Sequence, residues 1–408
     1  MKKLEVIFTG WGQHWTLGTL ADDGQQILFE YSSQAIERGD EFSPRFLKLQ
    51  ASALGDFPAH QHHLPGFIAD ALPDGWGMYL MDRYFTKQGI HRHQISPLDR
   101  LALIGSRAMG ALQFSPSAEP QSTPTAWAML DLAKEAEQAI AGHQSEALTQ
   151  LILLGGSPHG ARPKALVHYE ESTENISTLN NAAGKPWLIK FQARHEHKEV
   201  CAIEDVYAQV ARYCGLDIPK TQYFDLDAQL AGFGIERFDR SGTSRVPIHT
   251  LAGLMHVDFR IPTLGYDSLL KATRLITGSQ RELEKAFERC VFNVVMNNRD
   301  DHAKNFSFRM SANFQWQLAP AYDLTFNEGP MGEHQMDIHG EGRHPSRLDL
   351  LKLAQSNGLT IATANHLIDK INEGASRFRE LALNHAIRQD TVTLILHKIE
   401  KNQERMHH

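Results

Sequence analysis

The densest group of reactive side chains in the sequence lies at residues 297–306, NNRDDHAKNF, between two apolar segments. Within it, Asp300 and Asn305 are five positions apart. Carboxylate and amide oxygens are hard ligands that suit Mg²⁺, and a carboxylate can also orient a hydroxyl nucleophile. The alternative is an ordinary polar turn, which does not explain why acidic, amide, imidazole and ammonium groups occur together. The segment therefore predicts metal-assisted chemistry on an anionic group.

Further residues that suit phosphoryl transfer occur in a defined order along the chain. In protein kinases a catalytic Asp precedes a magnesium-binding Asn by five positions, and a second metal-binding Asp follows. Here FSFRM-SANF-QWQLAPAYDL, residues 306–324, is predicted to form two strands around a turn that end at Asp323, in AYDLT, without the usual glycine. Upstream, Lys190 lies late in an apolar strand, as does the phosphate-pairing lysine of kinases. Glu204, in the next helix, is a candidate ion-pair partner for this lysine.

A glycine-containing turn, LLGGSPHGARPKALV, spans residues 153–167. Its backbone N–H groups, including that of Gly160, and the Lys164 ammonium group are expected to hold phosphates. The turn does not match the Walker pattern, in which Gly-Lys is followed directly by Ser or Thr. An ordinary hairpin is the alternative. The order of phosphate loop, lysine strand, helix, catalytic loop and metal Asp indicates a kinase-like site more strongly than any single motif.

Two other classes of function stay open on the residues alone. A metal-dependent nuclease or phosphohydrolase would bind its metal through Asp300, Asp301 and His302. The other class is a catalytically inactive binding module, but such a module would not explain why every position expected for phosphoryl transfer carries a suitable residue. The individual positions also have structural alternatives, in which Lys190 is an edge-strand lysine, Glu204 is solvated and Asp323 caps a helix. The histidines of AHQHHLPG, residues 59–66, are expected to lie in a solvated loop rather than a metal site.

The composition narrows the broad class of protein. The 408 residues are 42% hydrophobic and 22% charged, as in ordinary globular domains. The formal net charge is −7 with interspersed signs, so direct nucleic-acid binding is not expected, although local basic patches stay open. No apolar run approaches the roughly 20 residues of a membrane span, and the N-terminus lacks a signal-peptide pattern. Three widely spaced cysteines predict buried thiols in a reducing cytoplasm.

Apolar patterning and turn residues divide the chain into three regions. Residues 1–117 are expected to form a β-rich N-terminal subdomain with a hairpin around an Asp-Gly turn and a helix capped by Gly89. Residues 115–126, rich in Ser, Pro and Thr, are the predicted linker. Residues 126–238 mix strands and helices, and residues 239–408 are mostly helical. The predicted fold class is α+β.

Several of these segments resemble the HipA family of serine/threonine kinase toxins, found in type II toxin–antitoxin systems. The similar segments are DDHAKNFSF, PAYDL, GARPKAL, WLIKF, IERFDR and the N-terminal ALPDGWG and PLDRLALIGSRAMGALQF. Together they extend over nearly the whole chain. The sequence differs from the family pattern at Asp301, where glycine is common. It also differs in SPHGARPK, where an apolar residue is expected after the serine.

The resemblance implies a two-lobed protein-kinase-like fold, with residues 126–238 as the N-lobe and 239–408 as the C-lobe. It implies that ATP and Mg²⁺ are used to phosphorylate Ser or Thr of a protein such as an aminoacyl-tRNA synthetase. Asp300 would then be the catalytic base or orienting group. Asn305 and Asp323 would hold magnesium.

The remaining implied roles concern nucleotide binding and partners. Lys164, with Gly160 in the same phosphate loop, and Lys190 would contact phosphates, while backbone groups near Glu236 and Phe238 would face adenine. The implied partner is a small helix-turn-helix antitoxin that binds operator DNA, so that this chain meets DNA only through it.

Ser157 lies in the predicted phosphate loop, seven residues before Lys164. At this spacing the family carries a serine that the kinase phosphorylates on itself. A phosphoserine adds about −1.5 to −2 charges, which would repel a bound triphosphate. The resemblance therefore implies self-inactivation by modification of Ser157, whereas the alternative is a plain Gly-Ser-Pro turn residue.

Overall fold

The computed structural model describes residues 1–120, 127–141, 148–155, 158–177 and 182–407. The N-terminal part is built on an antiparallel sheet with the strand order β3-β2-β1-β4. Its strands are β1 (Lys2–Phe8), β2 (Trp15–Asp22), β3 (Ile27–Tyr31) and β4 (Leu112–Ser115), and its helices are α1 (Ser33–Arg38), α2 (Gly66–Ala69), α3 (Gly75–Lys87) and α4 (Pro97–Ile104). In β1 the alternate residues Leu4, Val6 and Phe8 are buried, which places one face of the strand on the core.

Two local predictions for this part are confirmed. β2 and β3 pair in antiparallel register around the Asp-Gly turn, where the Asp23 carboxylate accepts hydrogen bonds from the N–H groups of Gln25 and Gln26. α3 begins after Asp74, and Gly89 adopts a left-handed φ of 79° just beyond the end of the helix. Glycine is favoured there because it has no Cβ to clash in that conformation.

The middle part carries an antiparallel sheet with the strand order β6-β5-β7-β9-β8. Its elements are α5 (Met129–Ile140), α6 (Leu148–Gly155), β5 (Lys164–Glu170), β6 (Asn175–Ser177), β7 (Lys185–Phe191), α7 (Glu199–Tyr213), β8 (Thr221–Asp225) and β9 (Ala231–Glu236). β7 is a central strand, which makes the edge-strand alternative for Lys190 wrong. The register of β5 and β7 pairs Lys164 with Lys190.

The C-terminal part is mostly helical, as predicted, with a small antiparallel sheet of order β12-β13-β14. Its strands are β10 (Arg240–Ser241), β11 (Ser244–Arg245), β12 (Ile248–Thr250), β13 (Ser307–Met310) and β14 (Trp316–Leu318). Its helices are α8 (Leu251–Met255), α9 (Tyr266–Thr277), α10 (Gln280–Val295), α11 (Arg347–Ser356), α12 (Ile361–Ala375), α13 (Phe378–Leu383) and α14 (Gln389–Arg405). None of the described helices combines the length and apolarity that crossing a bilayer requires.

The segment 296–306 lies between two buried elements, as its sequence predicts. α10 precedes it with a face that includes Phe287, Val291 and Val295, all fully buried. β13 follows it and pairs on both sides within the small sheet. The reactive segment is therefore held at both ends by the core of the C-terminal part.

The N-terminal part also contacts the C-terminal part directly. The Trp11 indole N–H donates to the Met310 carbonyl at 3.0 Å, and the Asp239 carboxylate accepts from the Gly110 N–H at 2.8 Å. The first residues of the predicted linker pack on α4, where the Ala118 N–H donates to the Ala102 carbonyl. The region boundaries at 117, 126 and 238 stay predictions.

Candidate active site

Lys190 connects the two carboxylates nearest to it. Its Nζ lies 2.5 Å from Glu204 Oε1 on α7 and 2.5 Å from Asp323 Oδ1 after the β13–β14 hairpin. The ion pair expected between Lys190 and Glu204 is therefore present, and the solvated alternative for Glu204 is wrong because Glu204 is buried. No helix follows Asp323 within residues 324–329, so the helix-cap alternative for that residue is also wrong.

The ionisation of this trio follows from burial and mutual charge. Burial alone would lower the pKa of Lys190, but the charges of Asp323 and Glu204 raise it above its usual value. Burial raises the pKa of Glu204, and Lys190 opposes that change. Burial would also raise the pKa of Asp323, but the Lys190 charge holds it well below its usual range. Asp323 is thus an ionised carboxylate, the form that binds a hard cation.

Asp323 has an unusual backbone conformation. Its φ of 57° lies in the left-handed region, which is uncommon for a residue with a Cβ. The preceding Tyr322 is tied down, because its hydroxyl group contacts Ser307 Oγ at 2.5 Å and donates to the Lys304 carbonyl at 2.6 Å. Strained backbone of this kind persists where the surroundings fix it, often at functional sites. The contacts of Tyr322 hold the residue before Asp323 in place, and the Asp323 side chain itself is bound by Lys190.

Asp300 and Asn305 lie in one compact loop. The Asn305 side-chain amide donates to the Asp300 carbonyl at 2.7 Å, and Gln335 Nε2 donates to Asp300 Oδ1 at 3.2 Å. Burial raises the pKa of the Asp300 carboxyl group; the charges of Asp323 and Asp301 add to the increase, and His302 opposes it. A carboxylate with an increased pKa is a better proton acceptor for a hydroxyl nucleophile.

Asp301 supports this loop from within the core. Its Oδ2 accepts hydrogen bonds from the Tyr266 hydroxyl at 2.8 Å and from His334 Nδ1 at 2.7 Å, and its Oδ1 accepts from the Gln335 N–H at 2.8 Å. The side chain is fully buried, so all of its accepting capacity is directed at the protein. Asp301, where the sequence departs from the family pattern, therefore stabilises the loop through buried hydrogen bonds.

These contacts do not form the ligand set that the nuclease alternative requires. Asp301 is committed to Tyr266 and His334, and its carboxylate does not join Asp300 and His302 in one ligand set. Across the described ranges, no group of three or more His, Cys, Asp or Glu side chains has the arrangement of a metal site. A metal held by Asp323 with the amide of Asn305 stays compatible with this result, because an amide oxygen is a ligand outside that residue set.

The predicted phosphate loop lies between α6 and β5, so it is not a simple hairpin. Lys164 Nζ donates to the His159 carbonyl, and burial together with the Lys190 charge lowers the pKa of Lys164 to about 8. Gly160 has a φ of 105°, and a Cβ at that position would clash with Lys164 Nζ. Ser157 lies outside the described residues.

The N-terminal part contacts this loop through residues that the sequence reasoning did not assign. The Asp74 carboxylate accepts from the Gly160 N–H and from Lys304 Nζ, the latter at 3.0 Å. The Trp76 N–H donates to the Gly160 carbonyl at 3.1 Å, and its indole N–H donates to the Lys164 carbonyl at 3.1 Å. Both residues lie in the segment ALPDGWG, which resembles the family's N-terminal domain, but the sequence did not indicate what they do.

The predicted adenine-facing residues lie at the end of β9. Glu236 is paired with Trp187 in the sheet and forms an exposed ion pair with Lys185. The Phe238 ring stacks on Tyr322, with 5.4 Å between ring centroids. Phe238 is thereby brought next to the segment that carries Asp323.

Two family models match the chain, and together they extend over most of it. The HipA-like C-terminal domain matches residues 156–378, and the HipA N-terminal domain matches residues 10–115. A curated relative, "Putative kinase Y4dM" of Sinorhizobium fredii, is 26% identical over 327 residues, which are 75% of this chain and 73% of that protein. A "Putative kinase" of Haemophilus influenzae is 26% identical over 189 residues, 42% of this chain and about half, 52%, of that protein.

A solved structure matches the fold over nearly its whole length. It is HipA from Shewanella oneidensis MR-1, in a complex with HipB and operator DNA, with a TM-score of 0.69 and 17% identity. The match covers 98% of this chain and 96% of that chain. The prediction of an α+β, two-lobed, HipA-like fold is therefore confirmed. Because the C-terminal family model alone matches more than half of the residues, this chain belongs to the HipA family.

Proposed function

We propose that this chain is a cytoplasmic, ATP- and Mg²⁺-dependent protein kinase that phosphorylates Ser or Thr and acts as the toxin of a toxin–antitoxin pair. The observation that carries the proposal is the Lys190 ammonium group between Glu204 and Asp323. A kinase needs a fixed lysine for phosphates and an ionised carboxylate for magnesium, held close to each other. The names of both curated relatives support a kinase activity.

The donor set suits the groups that the reaction requires. Asp323 and Asn305 would hold magnesium, and Lys190 and Lys164 would contact phosphates. When bound, ATP would supply the γ-phosphoryl group with ADP as the leaving group, and Mg²⁺ would neutralise the developing charge. Asp300 takes the proton of the acceptor hydroxyl as the oxygen attacks, and Gln335 keeps the Asp300 side chain in place. Backbone groups near Glu236 and Phe238 would face adenine.

Lys164 gives the proposal a pH-dependent test. Since its pKa is about 8, the ammonium form becomes a minority species as pH rises above that value. We expect nucleotide affinity to fall between about pH 7 and pH 9, because a neutral amine no longer attracts phosphate. Calorimetric titration with Mg·ATP at several pH values measures this change. Lys164→Arg, which stays charged, should show a flat profile, and an equal decline in that variant would contradict the role of Lys164.

We also propose a small helix-turn-helix antitoxin as the partner that provides contact with DNA. Support comes from the Shewanella complex, which contains HipB and operator DNA, and from the net charge of −7 of this chain. Expression of this chain alone should slow growth, whereas Asp300→Asn should not, because growth arrest requires phosphoryl transfer. Growth curves of induced cultures measure the difference. If the wild type and Asp300→Asn arrested growth equally, growth arrest would not depend on phosphoryl transfer.

We propose that the protein substrate is a component of translation, such as an aminoacyl-tRNA synthetase.

We also propose that the kinase phosphorylates itself on Ser157. A phosphoserine at position 157, seven residues before Lys164 in the sequence, would add about −1.5 to −2 charges to the proposed phosphate loop and would repel nucleotide phosphates. Mass spectrometry after incubation with Mg·ATP should find phosphate on Ser157, and Ser157→Asp should bind ATP weakly. Ser157→Ala is the control, which should keep its ATP affinity.

A further inference from the structure

A cavity of about 470 Å³ lies where residues 236–241, the turn before β8 and the β13–β14 hairpin meet, and Trp11 completes its wall. Its volume is in the range of ligand sites, about 300–1,000 Å³. It shares only the segment 236–238 with the proposed nucleotide site. The residues proposed to hold phosphates and magnesium do not line it; these are Lys164, Lys190, Asn305 and Asp323. The cavity is therefore separate from the proposed phosphate and metal site.

Hydrogen bonds fix the walls of this cavity relative to one another. The Val246 N–H donates to the Asp239 carbonyl at 3.0 Å, and the Met310 N–H donates to the Pro247 carbonyl at 2.9 Å. The Trp11 indole N–H donates to the Met310 carbonyl, so the N-terminal part is attached to the same hairpin. The cavity is thus formed by segments that hold each other in place.

Positive charge is in excess on the wall. Its basic side chains outnumber its carboxylates, the two sets being Lys220, Arg237, Arg240 and Arg309, and Asp217 and Glu236. Lys220 and Glu236 form exposed ion pairs with Glu171 and Lys185, which lie outside the wall. Three arginines and one carboxylate of the wall therefore lack such an outside partner.

One buried carboxylate, that of Asp239, serves two of these arginines. Its Oδ2 lies 2.7 Å from Arg237 Nη2 and 2.7 Å from Arg240 Nη1. Burial and the charge of Arg237 lower the pKa of Arg240 to about 9, although Asp239 opposes this change. A single carboxylate does not balance two guanidinium groups, so this cluster keeps a net positive charge beside the cavity.

Arg309, on β13, is a cation without a partner among the described residues. It forms neither a hydrogen bond nor an ion pair with them, and its guanidinium nitrogens are accessible to solvent. Arg237 donates to Asp239 through Nε and Nη2, which leaves Nη1 accessible and without a hydrogen bond to the described residues. A guanidinium group presents a planar fork of N–H donors that matches the oxygens of carboxylates and phosphates. The wall therefore offers free donors on two cationic side chains.

We propose that this cavity binds a small organic anion that carries a phosphate or carboxylate group. The anionic oxygens accept hydrogen bonds from Arg309 and from Arg237 Nη1, and the organic part contacts Trp11, Met310 and Pro320. A nucleic-acid backbone is a poorer match, because it needs cations spread along an extended surface to neutralise successive phosphates. The inference does not depend on the proposed kinase function, since it uses neither the catalytic loop nor the two phosphate lysines.

Calorimetric titration of the full-length protein tests the inference with three probes. Glycerol 3-phosphate and tricarballylate carry the two kinds of anionic group, and glycerol is the uncharged control. We expect at least one of the two anions to bind and glycerol not to bind, and the tighter anion identifies the preferred group. Arg309→Gln should weaken that binding roughly tenfold or more, because charge-assisted hydrogen bonds are lost. Arg281→Gln, at an exposed arginine of α10 outside the wall, should bind as the wild type does.

Arginine labelling gives a second readout on the wild-type protein, so it does not depend on the folding of a variant. Phenylglyoxal modifies accessible arginines, and mass spectrometry locates the modified positions. The bound anion should protect Arg309 and leave the labelling rate of Arg281 unchanged. The inference is overturned if neither anion protects Arg309, or if Arg309→Gln binds both anions as tightly as the wild type, which would place them elsewhere. Protection of Arg309 only by an oligonucleotide or by an acidic peptide would equally overturn it.

Discussion

Asp300→Asn should abolish phosphoryl transfer while Mg·ATP still binds. The amide cannot accept the proton of the attacking hydroxyl group, and losing such a group typically slows a reaction by about 10²–10⁴-fold. Binding is expected to persist, because it rests on Lys190, Lys164 and the magnesium ligands. Transfer of radiolabelled phosphate to a protein measures the rate, and calorimetry measures the affinity.

Asp390→Asn is the control for that variant. Asp390 is an exposed carboxylate in the first turn of α14, so its replacement makes the same chemical change at a site without a proposed role. Its rate should equal that of the wild type. Wild-type phosphorylation by Asp300→Asn would remove Asp300 from the chemistry and with it the main feature of the proposed mechanism.

Lys190→Met should abolish Mg·ATP binding and lower the free energy of unfolding. It leaves Glu204 and Asp323 as neighbouring carboxylates without their cation. Removing one partner of a buried pair typically costs about 3–5 kcal/mol, and the partial exposure of Asp323 favours the lower figure. Urea unfolding measures the stability, and Mg·ATP titration measures the loss of binding.

Two further variants separate these effects. Lys185→Met removes another lysine of β7, whose ion pair with Glu236 is exposed, so its cost should stay below about 1 kcal/mol. Adding Glu204→Gln to Lys190→Met should recover part of the stability, because one uncompensated carboxylate is removed, but it should not recover activity. Full stability in Lys190→Met alone would contradict the electrostatic description of this trio.

The elements and the order of the site residues could be predicted because the evidence is local. Apolar periodicity indicates α10 and β13, and the polar residues between them are adjacent in the chain. Lys190 and Glu204 are separated by one loop, so a strand followed by a helix is enough to suggest their pairing. The family resemblance then supplied the fold, which the similarity to a solved HipA confirms.

The contacts that depend on distant parts of the chain could not be predicted in this way. Asp74 and Lys304 are 230 positions apart, and no pattern in either segment identifies the other. Asp301 was a candidate metal ligand by residue type alone. Its burial against Tyr266 and His334 becomes visible only when α9 and the loop after β14 are packed together. Residue type indicates what a side chain can do, and packing decides which of its partners it meets.

The attachment of Gly160 to Asp74 and Trp76 has a thermodynamic consequence. In the proposed nucleotide complex, phosphates that bind this loop would compete with Asp74, at the start of α3, for the Gly160 N–H group, so nucleotide binding and this contact would be linked. By reciprocity, a protein that binds the N-terminal part and shifts α3 changes nucleotide affinity by some factor, and nucleotide changes the affinity for that protein by the same factor. Measuring either affinity with and without the other ligand yields one coupling free energy, and the two routes must agree.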